Sequence, residues 1–140
     1  MKFESLDEMY RTDEDKSVNG VPITVGINIK DDPIIMVVAE AGSPIHRKVQ
    51  RKYDKALETS RRNSEKRRLV LSKIVAESLL KGWSGVLDSK GKEVPYTVEN
   101  GIEAMMKYEK LSIEIMEAST DPENYRPDDE IEAEEDTEKN

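Results

Sequence analysis

The sequence predicts an α+β fold, mainly α: an N-terminal β-hairpin packed on a small helical domain, followed by a disordered acidic C-terminal tail. Three observations predict it. Val21, Ile23, Val25, Ile27 and Ile29 alternate with the period of a half-buried strand, and Ile34 to Ala39 is a continuous apolar run short enough to return beside it. Between Pro44 and Ala118 apolar residues recur at helical spacing behind capping signals. Asp121 to Asn140 holds ten acidic residues against two basic ones, and such a tail buries too little apolar surface to offset the entropy of ordering. The chain accordingly divides into a flexible acidic arm over 1–19, one folded domain over 20–120 and the tail over 121–140.

The arm carries Glu4, Asp7, Glu8, Asp13, Glu14 and Asp15 with few apolar residues, leaving room for one short element around Phe3 to Tyr10. The hairpin spans 20–39. Pro22 lacks a ladder donor and puts the first strand at an edge. Lys30-Asp31-Asp32-Pro33 is turn chemistry. A hairpin alone is marginal in water, so it must rest on the helices.

Ser43 followed by Pro44 has the form of an N-cap with proline at the first helical position, predicting a helix over about 44–59. Ile45, Val49, Tyr53 and either Ala56 or Leu57 give it a thin apolar stripe. Ser60 to Asn63 contains poor helix formers, though nothing there forces a stop. The core helix is expected over 64–81, where Leu69, Val70, Leu71, Ile74, Val75, Ala76, Leu79 and Leu80 make a broad apolar face. Lys81 to Asn100 reads as a compact loop that joins two helices. Gly82, Gly85 and Gly91 punctuate it, and Trp83 with Tyr96 anchors it. The expected role of Trp83 is an edge-of-core anchor whose indole N–H finds a backbone carbonyl.

Thr97 reads as an N-cap, with Asn100 where a capping box would carry Glu or Gln. Ile102, Met105 and Met106 face inward on a helix over 98–106. Leu111, Ile113, Ile115 and Met116 belong to a second over 108–118, and the two could equally be one helix bent near Lys107 to Glu109. Asp121 before Pro122 ends the helical pattern.

Function classes are narrowed by what the chain of 140 residues lacks. There is no cysteine and His46 is the only histidine, which removes disulfides, thiolate chemistry and histidine clusters together. No phosphate-binding, nucleotide-binding, nucleophile-elbow or calcium-loop motif is present. Asp88, Glu93 and Glu99 could be paired as acids, but charged residues in a turn-rich loop are ordinarily just solvated. The chain is therefore read as a non-enzyme with no cofactor and no metal. No apolar run approaches the roughly 20 residues that span a bilayer, and Met1 to Lys16 is acidic where a signal peptide would be basic then apolar. A soluble, unexported protein is expected.

The formal charge of −8 conceals segregation. His46 to Lys73 carries eleven basic residues against three acidic ones, including the arginines Arg61, Arg62, Arg67 and Arg68. Such a face can bind phosphates, yet Tyr53 is its only aromatic residue, which argues against base stacking. The acidic tail is expected to aid solubility, and it can also lie transiently on the basic helices in a salt-sensitive way.

From the core helix onward the order of features resembles the tail assembly chaperones of long-tailed, siphovirus-type bacteriophages. The phrases that carry the resemblance are Val75-Ala76-Glu77-Ser78-Leu79-Leu80-Lys81-Gly82-Trp83-Ser84-Gly85-Val86, the turn Asp88 to Gly91, Val94-Pro95-Tyr96-Thr97-Val98-Glu99-Asn100 and the ending Asp121-Pro122-Glu123-Asn124-Tyr125. The resemblance implies a non-catalytic protein of the infected host's cytoplasm that is absent from the mature virion. Such a protein binds the tape measure protein, keeps it soluble and helps recruit tail tube protein. Members of that family are often also made as a longer, frameshifted form, of which this chain would be the shorter counterpart. Met105, Met106 and Met116 are candidates for an adaptable apolar partner surface, with Arg61, Arg62, Arg67 and Arg68 as a charged one. Self-association through the hairpin edge is a further expectation. The alternatives are a nucleic-acid-associated or regulatory protein that uses helix 46–73, and a structural virion component.

Overall fold

The structure, a computed structural model, describes residues 3–128. In chain order the elements are α1 (Phe3–Tyr10), α2 (Glu14–Asn19), β1 (Val21–Ile27), β2 (Pro33–Val38), α3 (Pro44–Thr59), α4 (Ser64–Ser78), β3 (Leu80–Ser84), α5 (Val98–Lys107), α6 (Glu109–Thr120) and a 3-10 turn (Pro122–Tyr125). The fold is α+β and mainly helical, as the sequence predicts. Among the described residues no helix is long and apolar enough to cross a membrane.

The sheet is antiparallel in the order β1-β2-β3. Val21 pairs with Val38 and Ile23 with Met36, and the register slips once between Thr24 and Gly26. The third strand differs from the expected continuation of the core helix to Lys81. Helix α4 stops at Ser78, and Leu80–Ser84 pairs along the free edge of β2, Trp83 opposite Met36 and Gly82 opposite Val37. The reason is hydrogen-bond accounting. A two-stranded hairpin lying on a core leaves the outer N–H and C=O groups of β2 without partners, and the chain leaving α4 supplies them.

Met36 and Val38 point from the central strand into a core completed by Val75, Ala76, Leu79, Leu80, Met105, Ile115 and Ala118. Ile23, Val25 and Ile34 pack against it from the sheet. Ser43 accepts the His46 N–H at the start of α3, and Asn63 accepts the Lys66 N–H at the start of α4. That second cap is what separates the two helices at Ser60 to Asn63. Thr97 caps α5 through the Asn100 N–H, while the Asn100 side-chain amide donates to the Pro95 carbonyl instead of closing a box. Tyr108 is extended, with φ −123° and ψ 92°, so α5 and α6 are two helices and not one bent one.

Both ends of the domain extend beyond the expected 20–120. Asp13 caps α2, its own N–H reaches the Tyr125 carbonyl at 2.7 Å, and the Glu40 N–H reaches the Ser17 carbonyl at 2.9 Å. Lys16 Nζ lies 2.8 Å from the Arg126 carbonyl. The arm is therefore docked from Asp13 onward, and the expected tail begins too early at 121. Tyr125 is fully buried, and its hydroxyl donates to the Val38 carbonyl at 3.0 Å. Asn124 donates to the Ala118 carbonyl that ends α6. Charge counting across Asp121 to Asn140 hides this one aromatic anchor. The rest of the expected tail, 129–140, lies outside the described residues.

Candidate binding groove

From Leu69 to Ala76, after a polar, exposed first turn, helix α4 carries apolar residues round most of its circumference, which requires neighbours on several sides. The sheet, α5 and α3 supply most of them. Helix α6 packs more lightly on α4, and α3 and α6 do not pack closely on one another. A groove of about 440 Å³ is left between α3, α4 and α6. Leu57, Leu71, Val75, Ile113 and Met116 give its apolar lining. Leu71 is 42% exposed, Ile113 49% and Met116 37%, although each lies on a helix that also serves the core. His46, Gln50, Arg68, Glu109 and Glu117 bring polar groups to the same groove.

His46 is buried, and its Nδ1 accepts the Gly42 N–H at 2.9 Å, so the neutral ring carries its proton on Nε2. Burial holds its pKa below the ordinary value. Beside the groove, Glu77 ties α4 to α3: Lys52 Nζ donates to it at 2.7 Å, and the Tyr53 hydroxyl donates to its other oxygen. Burial alone would raise the Glu77 pKa, but these two hydrogen bonds outweigh it and the net shift is downward.

A family model described as the YdaY prophage protein matches residues 39–140. The chain belongs to the YdaY prophage protein family. No curated protein and no solved structure matches it. The YdaY span holds α3, α4, β3, α5 and α6 and thus every residue of the groove, whereas β1 and β2 precede it.

The structure separates the expected partner residues. Met105 is fully buried in the core and presents no partner surface, because α5 packs its Met105 face against α4. Met106 is half-buried and lies outside the groove, and Met116 alone of the three lines it. Arg61, Arg62 and Arg67 are exposed. Arg61 and Arg67 share a shallow cleft with Asp54, Glu58 and Leu57, the last of which joins it to one end of the groove, so the arginines there are balanced by two carboxylates. Arg68 has a different duty: its guanidinium donates to the Met106 carbonyl at 2.8 Å and lies 3.4 Å from that of Met105, satisfying the C-terminal end of α5. Reversing all four arginines would therefore disturb the fold as well as the surface.

Trp83 donates its indole N–H to the Val94 carbonyl at 2.7 Å and meets Tyr96 edge-on, with ring centroids 5.1 Å apart. The Tyr96 hydroxyl lies 2.9 and 2.8 Å from the carbonyls of Ala76 and Leu80, where α4 passes into β3. Burial pushes the Tyr96 pKa up to about 12. Asp88 is occupied by its own turn, accepting the N–H groups of Lys90 and Lys92. Glu93 and Glu99 are exposed.

Leu57, Leu71 and Ile113 were missed as site residues by sequence reasoning, which assigned each to a core-facing stripe. The available signal was excess: α4 and α6 each carry more large apolar residues than one buried face requires.

Proposed function

We propose that the protein is a phage tail assembly chaperone. It holds an amphipathic helical segment of the tape measure protein in the α3–α4–α6 groove, keeps that client soluble and helps recruit tail tube protein around it. It acts without catalysis in the cytoplasm of the infected host and leaves before the virion matures. The observation that carries this reading is the groove: a largely apolar gap of about 440 Å³ with half-exposed Leu71, Ile113 and Met116 along it. Helix-in-groove binding needs anchors at i, i+3 or i+4 and i+7, and a flexible thioether at the rim adapts to different anchors. Membership of a prophage protein family supports the phage setting.

The test is co-expression with the tape measure protein of the same prophage. Wild type should raise the soluble fraction of the client and copurify with it. Ile113→Glu and Leu71→Glu should each weaken the complex by about 30-fold or more, because a carboxylate would be desolvated without a partner. Both positions are only about half buried, so folding should be spared, as far-UV circular dichroism would check. Folded groove variants that bind like wild type would overturn the reading. Salt-sensitive retention of DNA or RNA through the exposed Arg47, Lys48, Arg51 and Lys55, with no effect on the client, would favour the nucleic-acid alternative.

A further inference from the structure

Two side chains of the groove lining are polar, almost wholly buried and short of a hydrogen-bond partner. His46 on α3 is 5% exposed and Ser72 on α4 is 6% exposed. The Gly42 N–H occupies His46 Nδ1 and so fixes the ring proton on Nε2, and among the described residues nothing accepts that Nε2–H. A helical serine commonly turns its hydroxyl back to the carbonyl one turn earlier, as Ser78 does to Ile74. Ser72 does not, and its hydroxyl has no other partner among the described residues. Neither atom is fully enclosed by protein, and both residues border the groove, so the little surface they keep lies along it.

A uniformly apolar helix laid on this groove would strip water from both groups and return nothing, a cost of roughly tenfold in affinity for each. A helix with a hydrogen-bonding side chain inside its apolar stripe avoids that cost. His46 Nε2–H is a donor and requires an acceptor, whereas the Ser72 hydroxyl takes either. Charge narrows the choice. The lining brings Glu109 and Glu117 against Arg68, and Arg68 is already bonded to the end of α5. A carboxylate would meet two of its own sign there, and a neutral amide or hydroxyl would not.

We infer that His46 and Ser72 select the client segment: the groove takes helices whose apolar stripe is interrupted by Asn, Gln, Ser or Thr and discriminates against purely apolar ones. The inference rests on the groove being the client site, as in the proposed function, and adds the side-chain chemistry that the site reads. A site built around a hydrogen bond rejects a partner that lacks it far more strongly than an apolar pocket rejects a missing methylene. Two polar atoms in an apolar groove therefore suffice to tell one helical segment of the client from another.

The experiment measures binding of the full chain to overlapping peptides of the tape measure protein from the same prophage, by fluorescence anisotropy, with Ser72→Ala and Ile113→Glu beside wild type. Because the Ser72 hydroxyl makes no bond within the protein, Ser72→Ala should unfold in urea at the wild-type midpoint or above it. It should nevertheless bind the best wild-type peptides roughly 3- to 10-fold more weakly. Replacing the polar residues of a peptide's stripe by Leu, one at a time, should weaken wild type, and for the residue that faces Ser72 the loss should disappear in Ser72→Ala. His46 reports directly, as the only histidine: with peptide bound, its Nε2–H signal in nitrogen-edited NMR should shift and become protected from solvent exchange. The Trp83 indole N–H, bonded to Val94, should stay in place as a control. Best binders with wholly apolar stripes, a Ser72→Ala that binds as wild type does, or an unmoved His46 signal in the complex would overturn the inference. If Ile113→Glu still loses the peptides in those cases, the chaperone reading survives alone. If no peptide binds wild type, or Ile113→Glu binds as wild type does, the groove reading fails and this selection fails with it.

Discussion

Tyr125 decides where the folded domain ends. Its side chain is fully buried, its hydroxyl donates to the Val38 carbonyl at 3.0 Å, and its own carbonyl accepts the Asp13 N–H at 2.7 Å. One residue thus ties the chain's two ends to the central strand. Removing the hydroxyl in Tyr125→Phe deletes one buried neutral hydrogen bond, about 1 kcal/mol. Tyr125→Ala also deletes a buried ring, and the loss should reach about 4 kcal/mol, within the range found for buried aromatic residues cut to Ala. At about 4 °C per kcal/mol for a domain of this size, the expected falls in melting temperature are about 4 °C and about 15 °C. Urea and thermal unfolding followed by far-UV circular dichroism measure both. If Tyr125→Ala stays within about 0.5 kcal/mol of wild type, the 3-10 turn is not part of the cooperative unit, and the tail begins at Asp121 as charge counting suggests.

Other positions give sharper local tests. Gly85 has φ +77°, and a Cβ there would stand 2.1 Å from the Pro33 carbonyl oxygen, so Gly85→Ala must displace the turn after β3; chemical denaturation should show a loss of about 1–3 kcal/mol, and a neutral result would contradict the close approach. His46 is held neutral by burial, so the unfolded chain binds its proton more readily; stability should fall as pH drops below about 6.5 toward the lowered native pKa, and that part of the slope should vanish in His46→Gln. Trp83→Phe keeps most of the edge-on contact with Tyr96 but orphans the Val94 carbonyl, and urea unfolding should show a loss of about 1–2 kcal/mol.

Local signals made much of the fold legible. Ser43-Pro44 and Thr97 announce helix starts through chemistry contained within four residues, and α3 and α5 begin where those caps lie. The alternation from Val21 likewise carries its own period. What stayed hidden depends on partners distant in sequence. Leu80–Ser84 is a strand because β2, more than forty residues earlier, has an unpaired edge. Read alone, Leu79 and Leu80 continue the apolar run of α4 without a break. Asp121 to Arg126 shows the same limit in reverse: its composition says tail, and only the pocket beneath Tyr125 outweighs it.

The groove was less legible than the fold for a related reason. A helical stripe tells which residues avoid water but not whether the cover comes from the same chain. Leu71, Ile113 and Met116 satisfy the periodicity of buried positions as well as Val75 and Ile115 do, and they differ only in where neighbouring helices stop. Charge reading was misleading at the same place. Arg61, Arg62, Arg67 and Arg68 form one cluster in sequence, yet Arg68 spends its guanidinium on the carbonyls of α5 while Arg61 and Arg67 flank the open end of the groove. An exposed apolar seam is costly to leave uncovered in a small domain. An amphipathic helix is the shape that would cover it.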